Sequence, residues 1–177
     1  MDFAIDIIEK NFSVIGTERK KIMSEIIFNY SSSENPFDIL GVAYALYYSG
    51  AKYRSNAIEF FEKYLSAPAD ISKYKMISLW GIYSNLSTLY EKEHQYEKAI
   101  YYLKMCIESN GGNNPADFTR IGDILIKIDL DRAEDFYISL LSNNDYIKFR
   151  YQFEYALNDI HEKQRKGYKY NPRPQAK

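Results

Sequence analysis

Tyr83-Ser-Asn-Leu-Ser-Thr-Leu-Tyr90, then Glu91-Lys-Glu-His-Gln95, then Tyr96-Glu-Lys-Ala-Ile-Tyr-Tyr-Leu-Lys-Met-Cys-Ile-Glu-Ser-Asn110: this stretch decides the fold. Its first part carries large apolar residues at Tyr83, Leu86 and Tyr90, with the small Ser87 beside them. Its last part carries Tyr96, Ala99, Ile100, Leu103 and Cys106. Both sets recur at the spacing that lines one face of a helix. Two amphipathic helices joined by a short polar turn fold back on each other to bury those faces. Ser87 and Ala99 are small enough to let two backbones approach, and the aromatics fill the space around them. A lone hairpin of this kind cannot bury its apolar surface, so its neighbours should repeat it.

They do. Upstream, Phe37-x2-Leu40-Gly41-x2-Tyr44 is followed by Ala57-x3-Phe61 and Pro68. Downstream, Phe118-x2-Ile121-Gly122-x2-Leu125 is followed by Ala133-x3-Tyr137, and Ala133 lies 34 residues after Ala99. This pattern resembles the tetratricopeptide repeat, with an aromatic, Leu-Gly, Tyr, Ala, a large apolar residue and Pro at fixed offsets. The resemblance implies an all-α fold: a short right-handed superhelical solenoid of antiparallel helix pairs, about nine helices in all. Three such repeats occupy residues 35–144, between an N-terminal hairpin at 1–34 and a capping helix at 145–166. Residues 167–177 read as a disordered tail.

Within that frame, Phe3, Ile7, Ile8 and Phe12 mark a short first helix. Thr17 is an expected N-cap for a second helix marked by Ile22, Met23, Ile26, Ile27 and Tyr30. Asn35-Pro36-Phe37-Asp38 and Asn114-Pro115-Ala116-Asp117 are matching start signals: a capping side chain, Pro in the first turn and an acid near the positive end of the dipole. Gly41 precedes Ala57 by 16 residues where Ser87 precedes Ala99 by 12, so a turn or a helix is longer there. Ala57 precedes Ala99 by 42 residues against the usual 34. With Asp70 as a cap and an apolar pattern running on to Tyr90, the reading is one long helix from Ile71 to Lys92, overhanging its neighbours by two turns. In the last helix Tyr146, Phe149, Phe153, Leu157 and Ile160 form an apolar face opposite Lys148, Arg150, Glu154 and Asp159, which suits a terminal cap.

Composition excludes several function classes. Only 8 Gly and 5 Pro in 177 residues disfavour a β-rich or disordered chain. One cysteine excludes an internal disulfide and fits a reducing compartment, and no leader or 18-residue apolar run is found, so the expectation is a cytoplasmic protein without a membrane anchor. The net charge of −1 hides a basic tail with Lys163, Arg165, Lys166, Lys169, Arg173 and Lys177 against Glu162 alone. Its aromatics and cations are not interleaved along the body, which disfavours nucleic acid. His94 reads as a solvated turn residue, His161 as a helix end and Cys106 as a structural thiol. Asp129, Asp131 and Asp135 lack the Gly and terminal Glu of a calcium loop and read as an acidic helix start. No metal site, phosphate loop or cofactor is expected, and the chain is read as no enzyme and as having no small-molecule substrate.

The resemblance also implies a groove. In tetratricopeptide proteins the first helices of successive repeats line a concave surface that holds a peptide or a partner helix. By position the lining here is Asp38, Ile39, Val42, Ala45 and Leu46, then Ser84, Asn85, Thr88 and Lys92, then Thr119, Arg120, Asp123 and Lys127. The residues expected to meet a partner are Asn85, Thr88, Lys92, Arg120, Ile39 and Val42. One subgroup, the chaperone-tail adaptors, clamps a terminal carboxylate with five polar residues. Asn85 and Arg120 match two of those positions, but Asp38, Val42 and Ala116 stand at the other three, and Asp38 would repel the carboxylate. The function implied is binding of another protein or peptide as an adaptor. A small secretion-type chaperone and the peptide-sensing module of a bacterial regulator stay open as alternatives, as does a homodimer.

Overall fold

Local signals open the helices where the sequence places them. Asn35 accepts a hydrogen bond from the Phe37 amide and Asn114 accepts one from Ala116, each with Pro next in the chain. The computed structural model describes residues 3–170. Among them lie nine α-helices and no strand: α1 (Ala4–Lys10), α2 (Gly16–Tyr30), α3 (Pro36–Tyr48), α4 (Arg54–Ser66), α5 (Leu79–Lys92), α6 (Tyr96–Ser109), α7 (Pro115–Ile128), α8 (Leu130–Leu141) and α9 (Arg150–Arg165). Two 3₁₀ segments, Ala51–Tyr53 and Asn144–Phe149, precede α4 and α9. The first accounts for the longer Gly41-to-Ala57 interval, because α3 already ends at Tyr48. The chain divides into two compact units, residues 1–94 and 95–177.

In the first unit α3 is the central helix, with α1, α2 and α4 packed against it. Every residue from Asp38 to Leu46 is buried. Gly41 is what lets α1 approach: a Cβ there would lie 2.4 Å from the Ala4 carbonyl carbon. The Asp38 carboxylate accepts from the Ala4 amide at 2.8 Å and from the Ser33 hydroxyl at 2.8 Å, so this buried acid anchors the start of α1. The inward face of α1 is Ala4, Ile5 and Ile8, shifted from the expected Phe3, Ile7, Ile8 and Phe12. α2 begins at Gly16, with Ile15 in the capping position, so Thr17 sits inside the first turn and does not cap.

The expected helix from Ile71 to Lys92 is corrected. α5 starts only at Leu79, capped by Ser78, whose hydroxyl accepts from the Gly81 amide at 3.1 Å. Residues 70–77 instead form an irregular strap. Asp70 closes a local turn by accepting from the Ser72 amide and caps no helix. Ile71, Tyr74 and Ile77 are buried at a three-residue spacing that imitates a helical face. The strap is pinned to α1: the Tyr74 hydroxyl donates to Asp6 at 2.8 Å, and the Lys75 and Met76 amides donate to Glu9 at 2.8 and 3.1 Å. Backbone donors that a helix would satisfy internally are thus satisfied by a carboxylate far away in sequence.

Two tests follow from this pinning. Glu9→Ala should cost about 1 kcal/mol and speed amide exchange at Lys75 and Met76 while α3 stays protected. Unchanged exchange there would show that Glu9 does not hold the strap. Burial raises the Asp6 pKa, but the Tyr74 hydroxyl, the Phe3 amide and the Lys73 and Lys10 charges together bring it below 3.8. A depressed carboxylate stabilises the fold above its unfolded value, and that stability disappears as pH falls through the folded value. The Tyr74 contact should therefore persist at neutral pH and loosen as pH falls through the lowered Asp6 pKa, read from the Tyr74 ring resonances.

The second unit builds on α7, which α6, α8 and α9 all contact. Gly122 serves α8: a Cβ there would lie 2.1 Å from the Tyr137 hydroxyl oxygen. Asp129 caps α8 by accepting from the Asp131 amide at 2.9 Å, as an acidic helix start should. No helix among the described residues is long and apolar enough to cross a membrane. The basic tail falls partly outside the described residues, Arg173 and Lys177 included.

Candidate functional site

Thr119, Asp123 and Ile126 recur along one face of α7. Across from them α9 presents Tyr151, Gln152, Tyr155, Ala156 and Asp159. With Tyr137 of α8, these side chains line a groove of about 340 Å³. Tyr137 is buried, its ring 6.0 Å from that of Phe153. Burial first, then the charges of Asp123 and Asp159, push its hydroxyl pKa well above the usual tyrosine value. Both carboxylates therefore act on one buried hydroxyl.

The walls differ in character from the floor. Tyr151 is 78% exposed and Tyr155 70%, an i, i+4 pair of aromatic rings held out to solvent on one helix. α9 is fixed beneath them by the buried Phe149, Phe153 and Ile160. Polar contacts to α8 add to this: His161 Nε2 lies 3.0 Å from Glu134 Oε1, and the Gln164 amide donates to Glu134 at 2.7 Å and to Asp131 at 3.1 Å. The Gln164 and His161 contacts hold the Glu134 carboxyl below its ordinary range. Asp159 is paired with Lys163 one turn on.

The residues expected to meet a partner are placed as follows. Ile39 and Val42 are buried at 5% and 0% exposure, so they are core and closed to a partner. The reason is that α1, α2 and α4 all pack against α3, so no residue from Asp38 to Leu46 is left exposed. Ala45 and Leu46 are closed in the same way, and Asp38 is engaged with Ala4 and Ser33. Asn85 and Thr88 are half-buried on α5 and Lys92 is exposed at its end. The Thr88 hydroxyl donates to the Ser84 carbonyl of its own helix. Arg120 is half-buried, and its charge acts on the Cys106 thiol. It does not line the α7/α9 groove, whereas its neighbours Thr119 and Asp123 do.

Sequence reading missed Tyr151 and Tyr155, because it divided α9 into an apolar and a charged face and neither tyrosine belonged to either. The signal present was an aromatic pair four residues apart flanked by Gln152 and Glu154. Cys106 is buried on α6, and burial, with Asp117 nearby, pushes its thiol up to about 12. At neutral pH it stays protonated and is a poor nucleophile. His94 is exposed at the turn before α6 with a positive φ of 57°, a backbone shape that suits a turn residue. Among the described residues no cluster of His, Cys, Asp and Glu could hold a metal ion. No protein-family model matches the chain, nor does any curated protein or solved structure.

Proposed function

We propose that the chain is a non-enzymatic interaction module built of tetratricopeptide-like helix pairs in a short solenoid, and that the groove between α7 and α9 receives a segment of another protein. The observation that carries this is the pair of rings at Tyr151 and Tyr155, exposed beside an open groove on a helix whose other face is locked into the core. Tyrosine offers large contact area with little side-chain entropy to lose, and its hydroxyl can find a partner at the groove edge. The 34-residue interval from Ala99 to Ala133 and the close packing of Gly122 on Tyr137 support the repeat reading in this unit. A site on α7 and α9 also moves the partner surface away from α3, whose equivalent face is occupied.

The test is site-specific photo-crosslinking in the native cell, with p-benzoylphenylalanine replacing Tyr155 or, as a control, the exposed Tyr101 of α6. A discrete adduct is expected from position 155 and not from 101. With the partner so captured, Tyr155→Ala should weaken its binding at least tenfold, about 1.4 kcal/mol, without changing the melting temperature. Equal adducts from both positions, or full affinity in the variant, would remove this groove from the reading.

A further inference from the structure

We propose that this groove takes a proline-rich segment, and that the Tyr137 hydroxyl donates a hydrogen bond to one of its main-chain carbonyls. This rests on the interaction-module reading above and names the chemistry of the occupant. The observation behind it is a buried hydroxyl without a partner. Tyr137 is 1% exposed, and among the described residues its hydroxyl makes no hydrogen bond. Tyr64, Tyr74 and Tyr90, also buried, donate theirs to the Ala69 carbonyl, Asp6 and Glu62. No sealed side-chain nitrogen or oxygen among the described residues lacks a partner, so the Tyr137 oxygen is not sealed. It opens on the groove that Tyr137 lines, and the missing Cβ of Gly122 leaves it room beside α7.

Charge selects what can meet this hydroxyl. Burial, Asp123 and Asp159 keep it protonated, so it is offered as a donor, and a carboxylate brought up to it would face theirs. The acceptor it takes is therefore uncharged, as a peptide carbonyl is. The two carboxylates of the groove are themselves occupied: Asp159 pairs with Lys163, and Asp123 is engaged already. The Thr119 hydroxyl donates to the Pro115 carbonyl of its own helix. A segment rich in amide N–H groups would find no free carboxylate here to accept them. Proline has no N–H, and a polyproline helix turns its carbonyls outward without bonding them internally. Its rings pack on aromatic faces, which Tyr151 and Tyr155 hold out to solvent four residues apart on α9.

Two peptides with acetyl and amide ends test it, Gly-Ser-Pro-Pro-Leu-Pro-Pro-Ser-Gly and the same sequence with alanine at all the prolines. Neither is charged. Binding to the full chain is read by NMR, which detects weak complexes residue by residue. The proline peptide is expected to shift the ring signals of Tyr137, Tyr151 and Tyr155 and to bind about tenfold more tightly than the alanine peptide. Tyr137→Phe removes one oxygen and keeps the ring, so the melting temperature and backbone spectrum should be preserved while affinity for the proline peptide falls about fivefold. A second readout needs no variant: the Tyr137 hydroxyl proton should exchange slowly enough to be seen once the proline peptide is bound. Equal affinity in the parent and in Tyr137→Phe would overturn the hydroxyl's part and leave it bonded to water. Equal affinity for the two peptides, or shifts confined to other surfaces, would overturn the proline assignment. An adduct from position 155 would still stand in those cases, so failure of this proposal and failure of the interaction-module reading are separate results.

Discussion

Gly41→Ala is expected to destabilise the first unit by about 2–4 kcal/mol, although alanine is the better helix former. The favourable part is small: replacing a mid-helix glycine gains roughly 0.5–1 kcal/mol. Against it stands geometry. The new Cβ would lie 2.4 Å from the Ala4 carbonyl carbon, 2.5 Å from Ala4 Cβ and 2.5 Å from the Ile5 nitrogen. Two of these are main-chain atoms, which cannot rotate aside as a side chain can, so α1 itself must move. Moving it pulls Ala4, Ile5 and Ile8 from the core and breaks the bond from the Ala4 amide to the buried Asp38 carboxylate. Urea unfolding followed by fluorescence of Trp80, the single tryptophan, would measure the loss. An unchanged midpoint would mean that α1 does not dock on Gly41 at all.

That prediction depends on a contact the sequence did not disclose. Asn35-Pro36 and Asn114-Pro115 were legible because a cap is local: the side chain bonds an amide two residues on. The apolar periods of α6, α7 and α8 were legible for the same reason, since each period belongs to one helix. What covers an apolar stripe is a different matter. Ile39 and Val42 carry the right spacing for a groove wall and for a core, and the packing of α1, α2 and α4 around α3 selects the core. The strap at 70–77 failed in the same way. Ile71, Tyr74 and Ile77 fit a helical face, and the choice against helix came from Asp6 and Glu9 more than sixty residues upstream. Of the candidate site, Thr119 and Asp123 were visible as positions on α7. Tyr151 and Tyr155 were not, because a tyrosine facing solvent leaves no periodic trace.

Phe153→Ala should have the largest effect in the second unit, a loss of about 3–5 kcal/mol. Its side chain is almost wholly buried, at 1% exposure. The ring centre stands 5.7 Å from that of Phe118 on α7, 6.0 Å from Tyr137 on α8 and 6.1 Å from Phe149. One residue thus joins α9 to both helices that form the rest of the groove. Most of α9 faces water, so the contacts left to it are Ile160, Phe149 and the bonds from His161 and Gln164 to the α8 carboxylates. Those polar bonds are solvent-exposed or half-exposed, and each is worth well under the lost ring. Amide exchange should therefore accelerate across residues 150–165 before it does in α6, and thermal unfolding should begin earlier. Binding should be lost with it, since Tyr151 and Tyr155 ride on the same helix, although neither ring has been altered. The contrast with Tyr155→Ala is what makes the result informative: that variant should lose the partner and keep its melting temperature, while Phe153→Ala should lose both. A Phe153→Ala protein that melts like the parent would place the weight of α9 on its polar contacts and leave the orientation of the two exposed rings without a cause in the core.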